Sequence, residues 1–579
     1  MTPAVLSRPL LPDSFASRVQ AAAEQAAAQR LPQRLFEKDA TLWTTQPDEQ
    51  RAILNRLGWL GISRIMQPHL ASIRSAAEDV RKAGFTHALL LGMGGSSLFS
   101  EVCRAIFGVA TGWLDLAVLD STDPVAILAA RRRAPLERTL IIVSSKSGST
   151  TEVSSLCEYF YEELTKAVGD RAGQHCVAIT DAGTPLEALA KARRFRHVFV
   201  HGPATGADVG GRFSALTCFG LFPAALLGVD IVQLLDRAEE MLAACGPSVP
   251  PAENPGLQLA VALHEAASQG RDTVTLVSAP ALAQFNSWAE QLVAESTGKS
   301  GKGLIPIDQE PLRAPGAYPA DRLFVELQLT DAVDRKLEQA VEALADAGHP
   351  VVRLRWRDRY DLGGEVMRWA VATAFTASLM RINAFDEPNV QESKDRTKQL
   401  LHQYAKDRAL PQEPPLKTEG GLVLFGNARP AASPVGANSS IPETVRAFFQ
   451  EASPGAYLVL SSFLPRTPEL DAAVVALRAK ISETLRLTTL LGYGPRYLHS
   501  TGQLHKGGPD RARVLFLTAD DPADVPVPGQ PYSFSVVKQA QALGDYQALK
   551  ERNRPVLRAH LGRSPREALT QLEAAFRRA

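Results

Sequence analysis

The sequence has few cysteines and no long apolar run. Its five cysteines are scattered without a CxxC pair, which argues against a disulfide framework or a zinc site and favours a reducing compartment. No apolar run approaches the roughly 20 residues that a bilayer-spanning helix needs. The N-terminus also lacks the basic and apolar regions of a signal peptide. We therefore expect a cytoplasmic protein that is not embedded in a membrane.

The sequence also lacks an excess of charge of either sign. It has 63 Lys and Arg against 62 Asp and Glu, so no overall field favours nucleic acid or a membrane surface as a partner. Hydrophobic residues make up 45 % of the chain and charged residues 22 %, which is the composition of a folded globular protein. A chain of 579 residues is too long for one hydrophobic core and predicts roughly three or four domains.

Hydrophobic patterning divides the chain into four parts. Residues 1–80 are predicted to form an N-terminal helical segment. Between 81 and 250, short apolar runs alternate with stretches of helical periodicity, which predicts parallel strands joined by crossover helices. A second such cycle occupies 251–410, and after a proline-rich linker a C-terminal α/β domain occupies 411–579. The predicted fold class is therefore α/β, with two tandem doubly wound parallel-sheet domains and a third α/β domain.

The candidate ligand-binding loops follow the predicted strands, because ligands of parallel α/β sheets bind beyond the carboxyl ends of the strands. The apolar runs predict strands at 87–91, 114–119, 139–143, 176–179, 197–200, 274–278, 304–307, 323–327, 351–354, 422–425, 457–460, 514–517 and 556–559.

The first candidate loop is the segment GMGGSS at 92–97, between a predicted strand and a helix. Glycines let the backbone approach a ligand, and amides at a helix start can bind an anion. The glycines loosely resemble a dinucleotide fingerprint, but the third is displaced, and the serines suit a phosphate or a sugar hydroxyl. Three hypotheses stay open for this loop alone: contact with an anion or sugar, dinucleotide binding, and a tight turn.

The second candidate loop is the segment SSKSGSTT at 144–151, which follows a strand that is buried by composition. Its six hydroxyl residues and one lysine precede a helix predicted from about residue 152, so many hydrogen bonds can reach one tetrahedral dianion. The order GxxxxGK[ST] of a nucleoside-triphosphate loop is absent, which favours a monophosphate. The alternative is a turn with a helix cap, although a cap needs only one such hydroxyl.

These two loops, within tandem α/β units, resemble those of sugar isomerase domains, and in particular those of the phosphoglucose isomerase family. The segment GMGGS at 92–96 resembles the family's GxGGS loop, and SKSGST at 145–150 resembles its SKTxxT phosphate loop, with serine in place of one threonine. The resemblance implies that a sugar phosphate is bound by Gly95, Ser96, Ser145, Lys146, Ser147 and Thr150.

Two further segments resemble catalytic motifs of the same family. The segment GGRFS at 210–214 resembles GGRxS, which implies that Arg212 stabilises an enediolate. The stretch QLVAESTGK at 291–299 resembles QxxxESxGK, which implies that Glu295 is the carbon-acid base and Gln291 a supporting contact. Glu295 would lie near a helix C-terminus, an unfavourable position for a carboxylate that is more readily tolerated when the group is functional.

The stretch FDEPNVQESK at 385–394 resembles the family's FDQxGVExGK, and it departs from that pattern at two positions. The resemblance implies that Lys394 binds the sugar and assists ring opening. Glu387 stands where glutamine is usual, and Gln391 stands where glutamate is usual, as though the pair were exchanged. The exchange keeps the charge near the sugar but changes its position, and Glu387 is expected to contact the substrate.

The ring-opening histidine is not where the family usually has it. No histidine lies between Glu295 and Gly348, and His349 falls in a predicted turn. The segment HSTGQLHKGG at 499–508 resembles the family's HxxxQLIHQG, but it follows Lys394 instead of preceding it. The resemblance implies His499 as the ring-opening acid and base, with His505 second, so that the third domain would complete the site. The alternative is that both histidines only make hydrogen bonds within that domain.

Four of the motifs occur in the family's order, and the chain from about residue 81 resembles the isomerase half of bifunctional transaldolase–isomerase proteins. Residues 1–80 are too few for a transaldolase barrel, so that activity is not expected. The resemblance implies reversible isomerisation of D-glucose 6-phosphate and D-fructose 6-phosphate in glycolysis and gluconeogenesis, without metal or organic cofactor, by a homodimer. Two rival hypotheses are a non-catalytic sugar-phosphate sensor of the same fold and a nicotinamide-dependent dehydrogenase that uses the loop at 92–97.

Overall fold

The chain folds around three β-sheets, and helices cover them. The computed structural model of the protein describes residues 7–202, 205, 208–426, 439–453 and 455–576. Within these residues, the strands in chain order are β1 (Ser7–Leu10), β2 (His87–Gly92), β3 (Asp115–Leu119), β4 (Thr139–Ser144), β5 (Cys176–Asp181), β6 (His197–His201), β7 (Thr273–Ser278), β8 (Ile305–Ile307), β9 (Arg322–Leu329), β10 (Val351–Trp356), β11 (Lys417–Glu419), β12 (Leu422–Gly426), β13 (Tyr457–Phe463), β14 (Thr488–Tyr493), β15 (Ala512–Thr518) and β16 (Val556–His560).

Helices connect most of the strands, as the alternating pattern predicted. Within the same residues the α-helices are α1 (Asp13–Ala28), α2 (Leu31–Phe36), α3 (Pro47–Leu54), α4 (Ile62–Met66), α5 (Leu70–Lys82), α6 (Leu98–Phe107), α7 (Pro124–Arg132), α8 (Thr151–Val168), α9 (Pro185–Ala192), α10 (Cys218–Leu226), α11 (Ile231–Ala244), α12 (Pro255–Ser268), α13 (Phe285–Thr297), α14 (Arg335–Asp346), α15 (Asp361–Leu379), α16 (Pro388–Asp407), α17 (Ile441–Gln450), α18 (Pro468–Leu485), α19 (Gly502–Gly507), α20 (Phe534–Glu551) and α21 (Pro565–Ala574). In the part of the chain that the structure describes, none of the helices has both the length and the apolar composition needed to cross a membrane.

The first sheet is parallel throughout, with strand order β3-β2-β4-β5-β6. Alternate residues of β2 enter two different cores, Leu90 on one face and Leu91 on the other, which explains the unbroken apolar run of this strand. β3 and β4 lie on opposite sides of β2, so the strand order reverses between β2 and β4. A crevice for a ligand opens beyond the carboxyl ends of the strands at such a point, and both polar loops begin there.

The second sheet has the order β1-β10-β9-β7-β8, and its strands are parallel except for β1. The sequence predicted only helices for residues 1–80, and this was wrong for β1, which pairs antiparallel with β10 at the sheet edge. β1 has four residues, too few to show alternation, and it contains Pro9, a residue that is confined to edge strands. One hydrophobic core extends across the first and second sheets and α1–α5.

The third sheet is mixed, with the order β11-β12-β16-β15-β13-β14. β12 is antiparallel to both of its neighbours, whereas β13 to β16 are mutually parallel where they pair. All the strands that the apolar runs predicted are present, but β11 and β14 were missed along with β1. β14 follows α18 after only two residues, Arg486 and Leu487, without the glycine or proline that marks a boundary in a sequence.

The third domain docks on the first sheet through buried charges. Lys538 of α20 donates to Asp123, which caps α7, at 2.8 Å, and it also contacts Asp521. Arg496 forms an ion pair with Asp120, which follows β3, at 3.1 Å. Acidic side chains beyond the carboxyl ends of the first sheet are therefore neutralised by basic side chains of the third domain, and this holds the third domain against the crevice.

We expect Lys538→Met to lower the free energy of unfolding by about 3–5 kcal/mol, because it leaves two buried carboxylates without their cation. Lys550→Met on the same helix is the matched control. Lys550 pairs with Glu413 at the surface, and losing such a pair costs about 0–1 kcal/mol. Urea unfolding followed by circular dichroism measures both variants. Equal midpoints for the two variants would show that the buried cluster does not hold the third domain.

Candidate active site

A pocket of about 290 Å³ lies beyond the carboxyl ends of β2 and β4. It gathers all but two of the residues that the motifs singled out, although they are spread over most of the chain. The predicted residues in its wall are Gly95, Ser96, Lys146, Ser147, Thr150, Arg212, Gln291, Glu295, Glu387, Lys394 and His499. A smaller cavity of about 200 Å³ adjoins it and shares Ser147, Thr150, Lys394 and His499.

The two predicted residues outside the pocket wall are Ser145 and His505. Ser145 is a buried residue of the loop 144–151. Its Oγ lies 3.2 Å from the Thr150 hydroxyl, so its side chain stabilises the loop. His505 lies in the core of the third domain between Tyr457 and Tyr497, and burial lowers the pKa of its imidazole to about 3. Its side chain makes no hydrogen bond to the described residues. The structure therefore does not bring His505 to the substrate pocket.

The glycines of the first loop allow it to contact the GGRFS segment closely. Gly94 has a φ of +54°, and a Cβ on Gly95 would lie 2.0 Å from the Gly211 carbonyl oxygen. Only glycine allows this approach, which brings the GGRFS segment directly against the first loop. In the dinucleotide hypothesis these glycines approach a pyrophosphate, but here the protein backbone fills the space beside Gly95.

The second loop is built for an anion. Ser144 Oγ donates to the Ser96 carbonyl oxygen at 2.7 Å and so joins the two loops. Lys146 Nζ lies 2.6 Å from the carboxylate of Asp181 at the end of β5. Thr150 is the N-cap of α8, yet its side chain does not cap the helix, so no side-chain cap competes with a ligand for the first amides. The start of a long helix without a side-chain cap, beside several hydroxyls, has the donors that a phosphate could use.

Arg212 is held rigidly in the pocket wall, and it is only 4 % exposed. Four of its five N–H groups donate to fixed acceptors, namely the Ser296 hydroxyl at 2.8 Å, the carbonyl oxygens of Ala384 at 2.6 Å and Asp386 at 3.0 Å, and the Glu387 carboxylate at 2.9 Å. Glu295 Oε1 lies 3.8 Å from Arg212 Nη1, too far for a hydrogen bond. Among the described residues one Nη1 N–H is therefore left for a ligand atom near Glu295.

Glu295 lies in the last turn of α13 and is 7 % exposed, as its motif position predicted. Burial raises the pKa of its carboxyl above the usual value, although the charge of Arg212 opposes this. Gln291, one turn earlier, donates to the His499 carbonyl oxygen at 2.7 Å. A buried carboxylate of raised pKa beside a free N–H donor has the properties of a base that removes a proton next to a carbonyl.

His499 has a partner that the sequence motifs did not reveal. Its Nε2 lies 2.9 Å from Glu152 Oε1, and Gln541 Nε2 donates to the same oxygen at 2.7 Å. Burial acts to raise the pKa of Glu152, but the charge and hydrogen bond of His499 outweigh it and lower this pKa. An ionised Glu152 orients the imidazole through this hydrogen bond. The sequence offered one signal for this partner, because Glu152 is an acidic residue in the first turn of the helix that follows the loop 144–151.

Two other pocket residues were also missed. Asp181 holds Lys146, as described above, and Arg56 enters from the N-terminal segment, in the turn after α3. The next residue, Leu57, forms an antiparallel β-bridge with Val209, which lies just before the GGRFS segment. The sequence assigned no role to the N-terminal segment, but the structure shows that it contributes the cation of Arg56 to the pocket wall.

Lys394 projects from α16 into the same pocket. Its ammonium group donates no hydrogen bond to any residue that the structure describes, so its donors are available to a ligand. Its positive charge acts to lower the pKa of both Glu152 and Glu295. Lys394 therefore lies near the partner of His499 and near the candidate base. The pocket thus combines a hydroxyl-rich loop, a buried carboxylate, a histidine and four cationic side chains, Arg56, Lys146, Arg212 and Lys394.

Comparison with known proteins links this arrangement to one family. The family model described as phosphoglucose isomerase matches residues 65–304, which include both polar loops, Arg212 and Glu295. The chain carries a phosphoglucose isomerase domain. Lys394 and His499 lie beyond the matched residues, so their assignment rests on the geometry of the pocket.

Relatives of this phosphoglucose isomerase domain extend over more of the chain. A glucose-6-phosphate isomerase from Carboxydothermus hydrogenoformans is 28 % identical over 406 residues, which cover 60 % of this chain and 85 % of that protein. A glucose-6-phosphate isomerase from Synechococcus sp. is 31 % identical over 360 residues, which cover 55 % of this chain and 66 % of that protein.

Solved structures show the same fold. A hypothetical protein, TT0462 from Thermus thermophilus, aligns with a TM-score of 0.58 and 25 % identity over 68 % of this chain and 99 % of its own. A glucose-6-phosphate isomerase from Chlamydia trachomatis aligns with a TM-score of 0.51 and 19 % identity over 64 % of this chain and 78 % of its own. The predicted α/β class is confirmed, and the phosphoglucose isomerase domain is followed by a mixed-sheet domain.

Proposed function

We propose that the protein catalyses the reversible isomerisation of D-glucose 6-phosphate and D-fructose 6-phosphate. One observation carries the proposal: a buried carboxylate, a guanidinium with one uncommitted N–H and a hydroxyl-rich anion loop face the same pocket. The similar proteins named glucose-6-phosphate isomerase support the same substrates.

The phosphate of the sugar would bind at the loop 144–151 and the start of α8, because these groups offer the donors that a dianion needs. Lys394 and His499 also line the pocket and would open the sugar ring. In that step one group gives a proton to the ring oxygen while another takes the proton from the anomeric hydroxyl. The buried Glu152 would hold the imidazole of His499 in position for these transfers.

Proton transfer between C2 and C1 would follow in the open-chain sugar. Glu295 removes the proton from C2, the C–H electron pair becomes the C1–C2 double bond, and the carbonyl oxygen takes up negative charge. The free N–H of Arg212 donates to that oxygen, where a fixed donor in a site shielded from water is most effective. The proton of the C2 hydroxyl then moves to the C1 oxygen, Glu295 returns its proton to C1, and C2 and its oxygen become the new carbonyl. The hydrogen moves within the substrate, so the reaction needs no external oxidant.

A coupled assay tests the proposal directly. Purified protein is mixed with fructose 6-phosphate, glucose-6-phosphate dehydrogenase and NADP⁺, and NADPH formation is followed by absorbance. We expect a turnover number in the usual range for enzymes, about 1–10³ s⁻¹. Binding of fructose 6-phosphate, seen as a thermal shift, without turnover would contradict the proposal and favour a sugar-phosphate sensor.

A further inference from the structure

Two carboxylates share a single guanidinium nitrogen in the pocket. Glu387 Oε2 lies 2.9 Å from Arg212 Nη1, and Glu295 Oε1 lies 3.8 Å from the same atom. The three side chains come from distant parts of the chain: the turn before α10, the end of α13 and the residue before α16. Two carboxylates thus converge on one buried guanidinium, more than its neutralisation needs, and the charges of Lys299 and Arg56 also act on Glu387.

The two carboxylates differ in their surroundings. The side chain of Glu295 is 9 % exposed, whereas that of Glu387 is 40 % exposed and opens to the pocket. Glu387 makes a hydrogen bond to Arg212, and Glu295 does not. The other charged groups that act on Glu295 are Lys394 and His499.

Resting on the isomerase function proposed above, we propose that Glu387 is a positioning residue that acts on Glu295 through Arg212. It holds the guanidinium in place and offsets its charge, so that Glu295 keeps the strength of a base while Arg212 keeps one N–H for the substrate. The residue at position 387 therefore sets the pH range in which the enzyme works.

The electrostatics of the pair support this division of roles. Burial acts to raise the pKa of Glu387, but the charge of Arg212 and its hydrogen bond lower it, so Glu387 stays ionised. Burial raises the pKa of Glu295, and the charge of Glu387 raises it further against the opposing effect of Arg212. Environments that push the pKa values of two neighbouring carboxyls apart assign one as the permanent charge and the other as the base.

A neutral side chain at position 387 would no longer oppose the effect of Arg212 on the pKa of Glu295. With glutamine there, the full charge of Arg212 would act on Glu295, which would become a weaker base. Glutamine Oε1 can still accept from Arg212 Nη1, so the guanidinium would keep its position. The Glu387→Gln change therefore separates the effect of charge from the effect of position.

The test compares pH profiles of kcat/KM for the wild type, Glu387→Gln and Glu387→Asp. We expect the acid limb of Glu387→Gln to move down by about one pH unit, the usual size of the effect of one neighbouring charge. We also expect its plateau to fall several-fold, because a weaker base removes the C2 proton more slowly. Glu387→Asp should restore the acid limb toward that of the wild type. The ionisation of the substrate phosphate, near pH 6, is common to all three enzymes.

Glu392→Gln is the matched control, because Glu392 also belongs to α16 but pairs with Arg396 and Arg552 outside the pocket. Its profile should equal that of the wild type. A Glu387→Gln acid limb that superimposes on the wild-type limb overturns the proposal.

A second measurement does not depend on turnover. In protein labelled with carbon-13 glutamate, the signal absent from Glu295→Gln identifies the Glu295 carboxyl, whose titration is followed by NMR. It should titrate at lower pH in Glu387→Gln than in the wild type, and equal titrations overturn the proposal. An inactive wild type in which this shift is seen would instead refute the isomerase function and leave the link between the two carboxylates standing.

Discussion

Replacing Glu295 with glutamine is expected to lower kcat by about 10³–10⁴-fold, the upper part of the range of effect of a general base in proton transfer. The amide has the size of the carboxyl but cannot accept the C2 proton. Sugar-phosphate binding should persist, because the anion loop and the start of α8 lie elsewhere in the pocket. Steady-state kinetics with fructose 6-phosphate, together with thermal shift on adding the sugar phosphate, measure the two quantities.

Glu290→Gln is the matched control on the same helix. Burial raises the pKa of Glu290 to about 8, so this carboxyl is largely protonated near neutral pH, and a neutral amide is a close substitute. Glu290 does not line the pocket around Glu295. We expect this variant to keep its activity within a few-fold. Retained turnover in Glu295→Gln would refute the assignment of the base.

Replacing His499 with asparagine is expected to lower kcat/KM for the hexose phosphates by about 10²–10³-fold, because ring opening loses its acid–base group. A substrate without a ring should not need that group. In a tetrose 4-phosphate the hydroxyl that would close a five-membered ring carries the phosphate, so the sugar is acyclic. Its enolisation, measured as exchange of the C2 proton with deuterated water, should change by only a few-fold.

His505→Asn provides a comparison for His499→Asn. His505 is buried in the third domain away from the pocket, so its loss should lower stability without selecting between cyclic and acyclic sugars. Equal losses of His499→Asn on both classes of sugar would assign His499 to a step after ring opening. The third domain would then still shape the pocket, but it would not supply the ring-opening group.

The sequence by itself determined the local parts of this protein. Buried strands such as β4 and β13 are unbroken apolar runs, so composition alone located them, and the loops after β2 and β4 carried motifs that are contiguous in the chain. The position of Glu295 near a helix C-terminus was also predicted from its own segment, since the motif that contains it is contiguous in the chain. These features depend only on residues that are close together in the sequence, so they can be predicted without knowing the tertiary contacts.

The tertiary structure decided what depends on contacts between distant segments. It brought His499 to the pocket and left His505 in a core, although both belong to one motif, because His499 ends the short turn Arg496–His499 whereas His505 lies on the buried helix α19. It also supplied Glu152 as the partner of His499, and Glu387 as the partner of Arg212. No local pattern encodes these pairs, since each forms only when separate sheets and helices dock.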